Sequence, residues 1–302
     1  MRTYPFRQVD VFTSRPFFGN PVAVIFDADD LSDEQMLKIA NWTNLSETTF
    51  FQQPSPNSGA DYRLRIWTPG GELPFAGHPT VGSAHAYIER GGARLDPEVM
   101  RQECSAGVLK LSSVGEGSKR LVFAETPEAK FVHDFSTSVE AISTALGAPI
   151  ATETPPASFD NGPVWLFTPM QSSEAIAALK PDMGVVERLS RDFSVTGIAA
   201  FALLDHPANP DPQGQIEGPA VHIRCFAPAF GVPEDPVTGS ANGALPSYLE
   251  RFGLLDRTGR EYVAMQGMEL GRDGRVHVHA TAGGRTEIGG QCVTVIEGEI
   301  RL

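Results

Sequence analysis

The sequence predicts an α+β protein of two related lobes, each a strongly curved sheet wrapped around one central helix. Three observations lead there. The segment His78-Pro79-Thr80-Val81-Gly82-Ser83-Ala84 returns as Asp235-Pro236-Val237-Thr238-Gly239-Ser240-Ala241, and upstream Arg65-Ile66-Trp67-Thr68-Pro69 reappears as Arg224-Cys225-Phe226-Ala227-Pro228. A chain of 302 residues suits two cores of roughly 150 residues better than one. Short strands dominate each half and one prominent helix follows each repeat copy, without the regular alternation that a parallel βαβ sheet needs.

In chain order, Val9 to Phe12 and Pro21 to Phe26 read as short strands joined by the turn-rich Ser14 to Asn20 segment. Ser32, with Gln35 three residues on, forms a capping box for a helix with Met36, Leu37, Ile39 and Ala40 on one face, ending near Asn41 to Asn44. Tyr62 to Trp67 alternates as a strand does, and from Thr80 the chain turns helical through Ile88, ending at Gly91-Gly92. Leu109, Leu111, Leu121 and Phe123 mark another strand pair, and Thr126-Pro127 opens a less regular stretch, so the lobe boundary falls within 125–135.

Beyond it, Val139 to Leu146 reads as a helix closed by Gly147, and Val164 to Phe167 as a strand introduced by Asn161-Gly162-Pro163, an echo of Asn20-Pro21. Helices around Ser173 to Leu179 and Val185 to Arg191, a strand from Ile198 to Leu204 and an exposed loop from His206 to Pro219 lead to a strand at Val221 to Phe226 and the second repeat copy. A helix from Ser240 to Arg251 follows, then alternation at Arg275 to Ala280 and Cys292 to Ile300, punctuated by Gly283-Gly284 and Gly289-Gly290. The expected domains are 1–128, joined by a last strand at about 290–302, and 129–289.

Hydrophobic residues at 41% and charged residues at 20% describe an ordinary globular chain. A formal charge of −13, with no basic run, argues against nucleic acid as a partner. The N-terminal residues alternate polar and apolar instead of forming a signal peptide, no stretch reaches membrane-span length, and the three cysteines are widely spaced, so a cytoplasmic protein without disulfides or a thiolate metal site is expected.

Each repeat copy sits where a loop enters a helix, and a helix N-terminus exposes backbone N–H groups with partial positive charge. Gly77 and Gly239 permit close approach of a ligand to the backbone, while Ser83 and Ser240 either cap the helix or reach a carboxylate. His78 and Asp235 each precede a proline and occupy equivalent places in the repeat as read, one imidazole against one carboxylate, a pair able to hold a polar substrate and shuttle a proton. Glu47 stands between a helix and a strand with apolar neighbours. It is either a loop glutamate bonded to Ser46 or Thr48, or a desolvated acid/base with a raised pKa. No Gly-x-Gly-x-x-Gly, P-loop, Gly-x-Ser-x-Gly or His-Glu-x-x-His is present. His85, His222, His277 and His279 form no evident ligand cluster.

Phe18-Gly19-Asn20-Pro21, Asn44-Leu45-Ser46-Glu47-Thr48, Phe75-Ala76-Gly77-His78-Pro79-Thr80 and Glu234-Asp235-Pro236-Val237-Thr238-Gly239-Ser240-Ala241 together resemble the PhzF-like family of phenazine-biosynthesis isomerases, over nearly the whole chain. That resemblance implies the diaminopimelate epimerase-like fold, with two pseudo-symmetric lobes, each a barrel-like, mostly antiparallel sheet around a central helix, and an active site in the cleft between them. It also implies a homodimer with no metal or organic cofactor. Carried over by motif, Glu47 is the general acid/base, His78 and Asp235 orient polar substituents and assist proton movement, and Ser240 with the Gly77 and Gly239 backbones binds a substrate carboxylate. The two-thiol racemases of this fold carry cysteines where this chain has Ala76 and Val237, which disfavours thiol racemisation. The expected function is a cofactor-independent isomerase of a small carboxylated, cyclic metabolite. An epimerase or racemase with non-thiol bases, and a non-catalytic metabolite-binding protein, are the alternatives.

Overall fold

The computed structural model describes residues 2–92, 99–204, 218–281 and 285–302. The chain divides into two units, Met1–Glu125 with Gly289–Leu302, and Thr126–Ile288. The loop expected from His206 lies, up to residue 217, outside the described residues, as does the Gly283-Gly284 pair.

In the first unit β1 (Thr3–Val11), β2 (Asn20–Ile25), α1 (Asp33–Thr43), β3 (Thr48–Gln52), β4 (Tyr62–Thr68), β5 (Gly71–Leu73), α2 (Gly77–Glu89), β6 (Val99–Cys104), β7 (Gly107–Val114) and β8 (Leu121–Thr126) follow one another. The second holds β9 (Lys130–Asp134), α3 (Val139–Leu146), β10 (Ala157–Asp160), β11 (Val164–Pro169), α4 (Ser173–Ala177), α5 (Met183–Asp192), β12 (Gly197–Leu203), β13 (Val221–Ala227), β14 (Val232–Asp235), α6 (Gly239–Arg251), α7 (Leu255–Thr258), β15 (Glu261–Gln266), β16 (Gly274–Ala280) and β17 (Thr286–Gly290). The last strand, β18 (Cys292–Arg301), returns to the first unit and pairs antiparallel with β1.

Pairing follows one scheme twice. In the first unit β1–β2, β3–β4, β4–β5 and β6–β7 are antiparallel, whereas β2–β3 and β4–β6 are parallel. In the second, β10–β11, β12–β13, β13–β14 and β15–β16 are antiparallel, and β11–β12 and β13–β15 are parallel. The sheet of each unit packs on one buried helix. Every residue of α2 from Gly77 to Ala86 is buried, and α6 buries Gly239, Ala241 to Pro246, Tyr248 and Leu249. A helix buried on nearly all sides has to be lined with small and apolar residues, which is what Gly82, Ala84, Gly243 and Ala244 supply. The α+β class and the mostly antiparallel sheet around a central helix are as the sequence predicts.

Local signals are realised where they were strongest. Ser32 and Gln35 form the capping box of α1, which ends at Asn44 in the left-handed conformation, and Gly147 closes α3 in the same way. One expectation is corrected. Gly77-His78-Pro79 is already helical, because a proline in the first turn gives up only an N–H that has no intrahelical partner there.

The starts of α2 and α6 therefore set the true frame of the duplication. Both helices are 13 residues long, and each begins four residues after the last residue of a short strand, β5 or β14. In that frame His78 corresponds to Ser240, while Asp235, the last residue of β14, corresponds to Leu73. The apparent equivalence of His78 and Asp235 was a repeat read in the wrong register. Ser83, expected near a helix start, lies in the second turn, fully buried, with its hydroxyl 2.9 Å from that of Thr49.

At Gly82 a Cβ would stand 2.6 Å from Val11 Cγ2 and 2.7 Å from Val22 Cγ1. Gly82→Ala is therefore expected to cost about 1–3 kcal/mol through overpacking. Gly298→Ala, where the added carbon meets nothing, serves as the control in a urea unfolding comparison.

Candidate functional site

In the first unit three segments bring polar side chains to one end of the sheet. Asn20 opens β2, Glu47 immediately precedes β3, and Gly77-His78 opens α2. Parallel pairing of β2 with β3 begins at Ala23 and Thr48, and the Ala23 N–H donates to the Glu47 carbonyl at 3.4 Å, which fixes the glutamate backbone. Glu47 Oε2 lies 3.4 Å from His78 Nε2, with side-chain exposures of 15% and 7%. On the other side of the ring, Asn20 Nδ2 approaches His78 Nδ1 at 3.5 Å.

The Glu47 Oε2 atom is buried and has no hydrogen-bond partner among the described residues. Burial raises its pKa from 4.5 to about 7, opposed by a hydrogen bond from the Ser46 side chain. The Ser46 contact expected of an ordinary loop glutamate is thus present, but on a side chain largely withdrawn from water.

This has a consequence for stability. The unfolded carboxyl ionises near 4.5 and the folded one near 7, so between these values the unfolded chain releases a proton that the folded chain keeps. The contribution of Glu47 to stability is full below pH 4.5 and lost as pH rises to 7, a change on the order of 3 kcal/mol. Glu47→Gln should match the wild type in acid and exceed it above neutrality. Chemical unfolding at pH 4.5 and pH 8 checks this.

In the second unit Asp235 ends β14 and Gly239-Ser240 opens α6. The Asp235 carboxylate accepts a 2.7 Å bond from Thr238 Oγ1. Ser240 Oγ accepts from the Trp165 indole at 2.9 Å, which leaves its own proton available to donate, and its carbonyl accepts from Asn161 Nδ2 at 2.9 Å. An asparagine beside the second strand of each unit thus addresses the second residue of the central helix, Asn20 to His78 and Asn161 to Ser240. Neither α2 nor α6 has a cap bond from the side chain of its N-cap residue, Ala76 or Thr238, and each opens on the positive end of a helix dipole. The positions ahead of the two opening glycines are Ala76 and, in the frame set by the helices, Thr238 instead of the expected Val237, and neither is a thiol. Cys104, Cys225 and Cys292 are all buried, Cys225 on β13 opposite Asp235 with its thiol beside Thr238 and Gln266.

Sequence reading passed over a duplicated clamp that supports both helix starts. Arg65 on β4 grips Glu72 on β5 through two 2.7 Å bonds, and Arg224 on β13 grips Glu234 on β14 through two 2.8 Å bonds. Each guanidinium also lies over the aromatic ring two residues on, Trp67 at 5.2 Å and Phe226 at 5.1 Å. The signal was there, since both arginines and both aromatics stood in the repeat.

The PhzC-PhzF family, described as phenazine biosynthesis-like protein, matches residues 9–298. The chain belongs to this family. This PhzF-like protein is 35% identical over 300 residues to the trans-2,3-dihydro-3-hydroxyanthranilate isomerase of Pseudomonas aeruginosa, covering 97% of this chain and 98% of that one. It is also 35% identical over 307 residues to "Antisense-enhancing sequence 1" of Schizosaccharomyces pombe, covering 99% of each. Among solved structures, a PhzF-family protein of Bacillus anthracis superposes with a TM-score of 0.85 at 28% identity, over the full length of both chains. The PhzF-like fold, of the diaminopimelate epimerase-like type, and the isomerase class of enzyme are thereby shown. Among the described residues no helix is long and apolar enough to cross a membrane.

Proposed function

We propose that this PhzF-like isomerase moves a proton, and with it a double bond, between carbons of a small carboxylated, cyclic metabolite, with Glu47 as the general acid/base. The observation that carries the proposal is the Glu47 side chain itself, with a buried oxygen lacking a hydrogen-bond partner among the described residues, a pKa raised to about 7, and His78 at 3.4 Å. A carboxyl poised there serves equally as base and as acid at neutral pH. Its carboxylate takes a proton from a substrate carbon. The resulting electron pair shifts along the unsaturated system, and the carboxylic acid so formed returns the proton at another carbon. Nothing is gained or lost, so the step as written needs no redox partner.

His78 and Asp235 are assigned to hold polar substituents, and the Gly77 and Gly239 N–H groups with the Ser240 hydroxyl to bind the carboxylate. The first turns of α2 and α6, each at the positive end of a helix dipole, support this assignment. A homodimer, on family resemblance, and a cytoplasmic location, on the three widely spaced cysteines, are part of the same reading, and the charge of −13 speaks against a nucleic-acid partner.

The compound to try first is trans-2,3-dihydro-3-hydroxyanthranilate, named for the Pseudomonas aeruginosa relative. Incubation in deuterated water followed by NMR is expected to show a shifted ring double bond, with deuterium at the new sp3 carbon to the extent that the Glu47 carboxylic acid exchanges with solvent before it returns its proton. Inversion at a stereocentre with the double bonds unmoved would overturn the proposal in favour of an epimerase.

A further inference from the structure

Outside the residues assigned so far, one wholly buried polar side chain bonds to the stretch that joins Asp235 to the start of α6. Gln266, the last residue of β15, is 1% exposed. Its Oε1 accepts from the Thr238 N–H at 2.9 Å and from Asn242 Nδ2 at 3.2 Å. Its Nε2 donates to the Asp235 carbonyl and to Thr238 Oγ1, both at 2.9 Å. These four bonds use both donors and both acceptor positions of the amide on the stretch from Asp235 to Asn242, and the buried Cys225 thiol lies beside the same amide and Thr238.

The bonds have a fixed direction. Thr238 Oγ1 receives the Gln266 N–H and so donates its own proton to Asp235 Oδ2, at 2.7 Å. The neighbours of Gln266 in the sheet make room for the same stretch. A Cβ on Gly267 would stand 2.5 Å from the Pro236 carbonyl oxygen, and one on Gly274, the β16 residue paired with Gln266, 2.4 Å from Val237 Cγ2.

From this we infer that Gln266 is a positioning residue, which aims the Asp235 carboxylate through Thr238 and sets the opening turn of α6. The inference rests on the proposed role of Asp235 in orienting substrate. Because the amide orients both a carboxylate and a helix start, its loss should act on turnover as misplacement of substrate, without touching the ionisation of Glu47.

Three variants, Gln266→Leu, Gln266→Glu and Asp235→Asn, are assayed beside the wild type on the compound named above, with kcat and KM resolved from pH 5 to 9. Gln266→Leu should lower kcat/KM by about 10- to 100-fold, mainly through KM, with the inflection near pH 7 retained. Gln266→Glu keeps the acceptor but has a donor only while protonated. Its activity should therefore acquire an additional loss as pH rises, which the wild type does not show. A purely structural role would not produce that second ionisation.

Gln266 variants with wild-type kcat and KM, beside an impaired Asp235→Asn, would overturn this inference alone. An unimpaired Asp235→Asn would overturn the reading of Asp235 and this inference with it. If Gln266→Leu does not fold, the Gln266→Glu profile decides, and a profile parallel to that of the wild type refutes the inference.

Discussion

Glu47→Gln should slow turnover by about 10²–10⁴-fold, the usual cost of removing an effective general acid/base. The amide keeps the size of the side chain and its place beside His78, so KM should change little and the loss should fall on kcat. The expected gain in stability at high pH makes the two effects separable, because a variant that is folded, more stable and nearly inactive has lost chemistry and not structure. Steady-state kinetics with calorimetry on the same preparation checks both. A Glu47→Gln enzyme with wild-type kcat would remove Glu47 from the mechanism.

The second large effect concerns the clamp beneath the start of α6. Arg224 and Glu234 have side-chain exposures of 7% and 9%, and Arg224 Nη1 also donates to the carbonyls of Ile176 and Leu179 at 3.0 and 3.1 Å. Arg224→Leu strands a buried carboxylate and two carbonyls. It should therefore destabilise by about 3–5 kcal/mol, a fall in thermal midpoint on the order of 10 °C. Arg65→Leu makes the matching change in the first unit. There Glu72 is 27% exposed and the second partner, Asp33, 75% exposed, so water can take over and the cost should be clearly smaller. Equal midpoints for the two variants would contradict the view that burial, and not the ion pair as such, sets the difference.

Much of the fold is legible because its signals are local. The Ser32–Gln35 capping box and the left-handed Gly147 act within a few residues, so reading them requires no knowledge of the rest of the chain. The short strands β5, β6, β14 and β15 escape notice for the opposite reason. Each is held by pairing with a strand distant in sequence or by a tight hairpin, as β6 is by β4 and β15 by β13, and carries little periodicity of its own. The repeat misleads in register because Gly-Ser-Ala recurs in both copies, whereas the helices begin at Gly77 and Gly239.

The site divides in the same way. Residue types and motif order point to Glu47, His78, Asp235 and Ser240, but whether Glu47 is buried depends on how β2, β3 and α2 pack, which its flanking residues do not settle. Gln266 has no sequence signal at all. Its importance comes from ending a strand beside the turn that carries Asp235, a proximity only the folded chain creates.

The central claim is that Glu47 performs the proton transfer from a buried position, and the pH dependence of kcat/KM tests it most directly. As a base, Glu47 must be ionised in the free enzyme, so kcat/KM of the wild type should rise with pH and level off through an inflection near 7, where burial places its pKa. In Glu47→Gln the residual activity should lose that inflection. An acid limb near the ordinary 4.5 of a solvated glutamate, or an inflection near 7 that survives in Glu47→Gln, would contradict the claim.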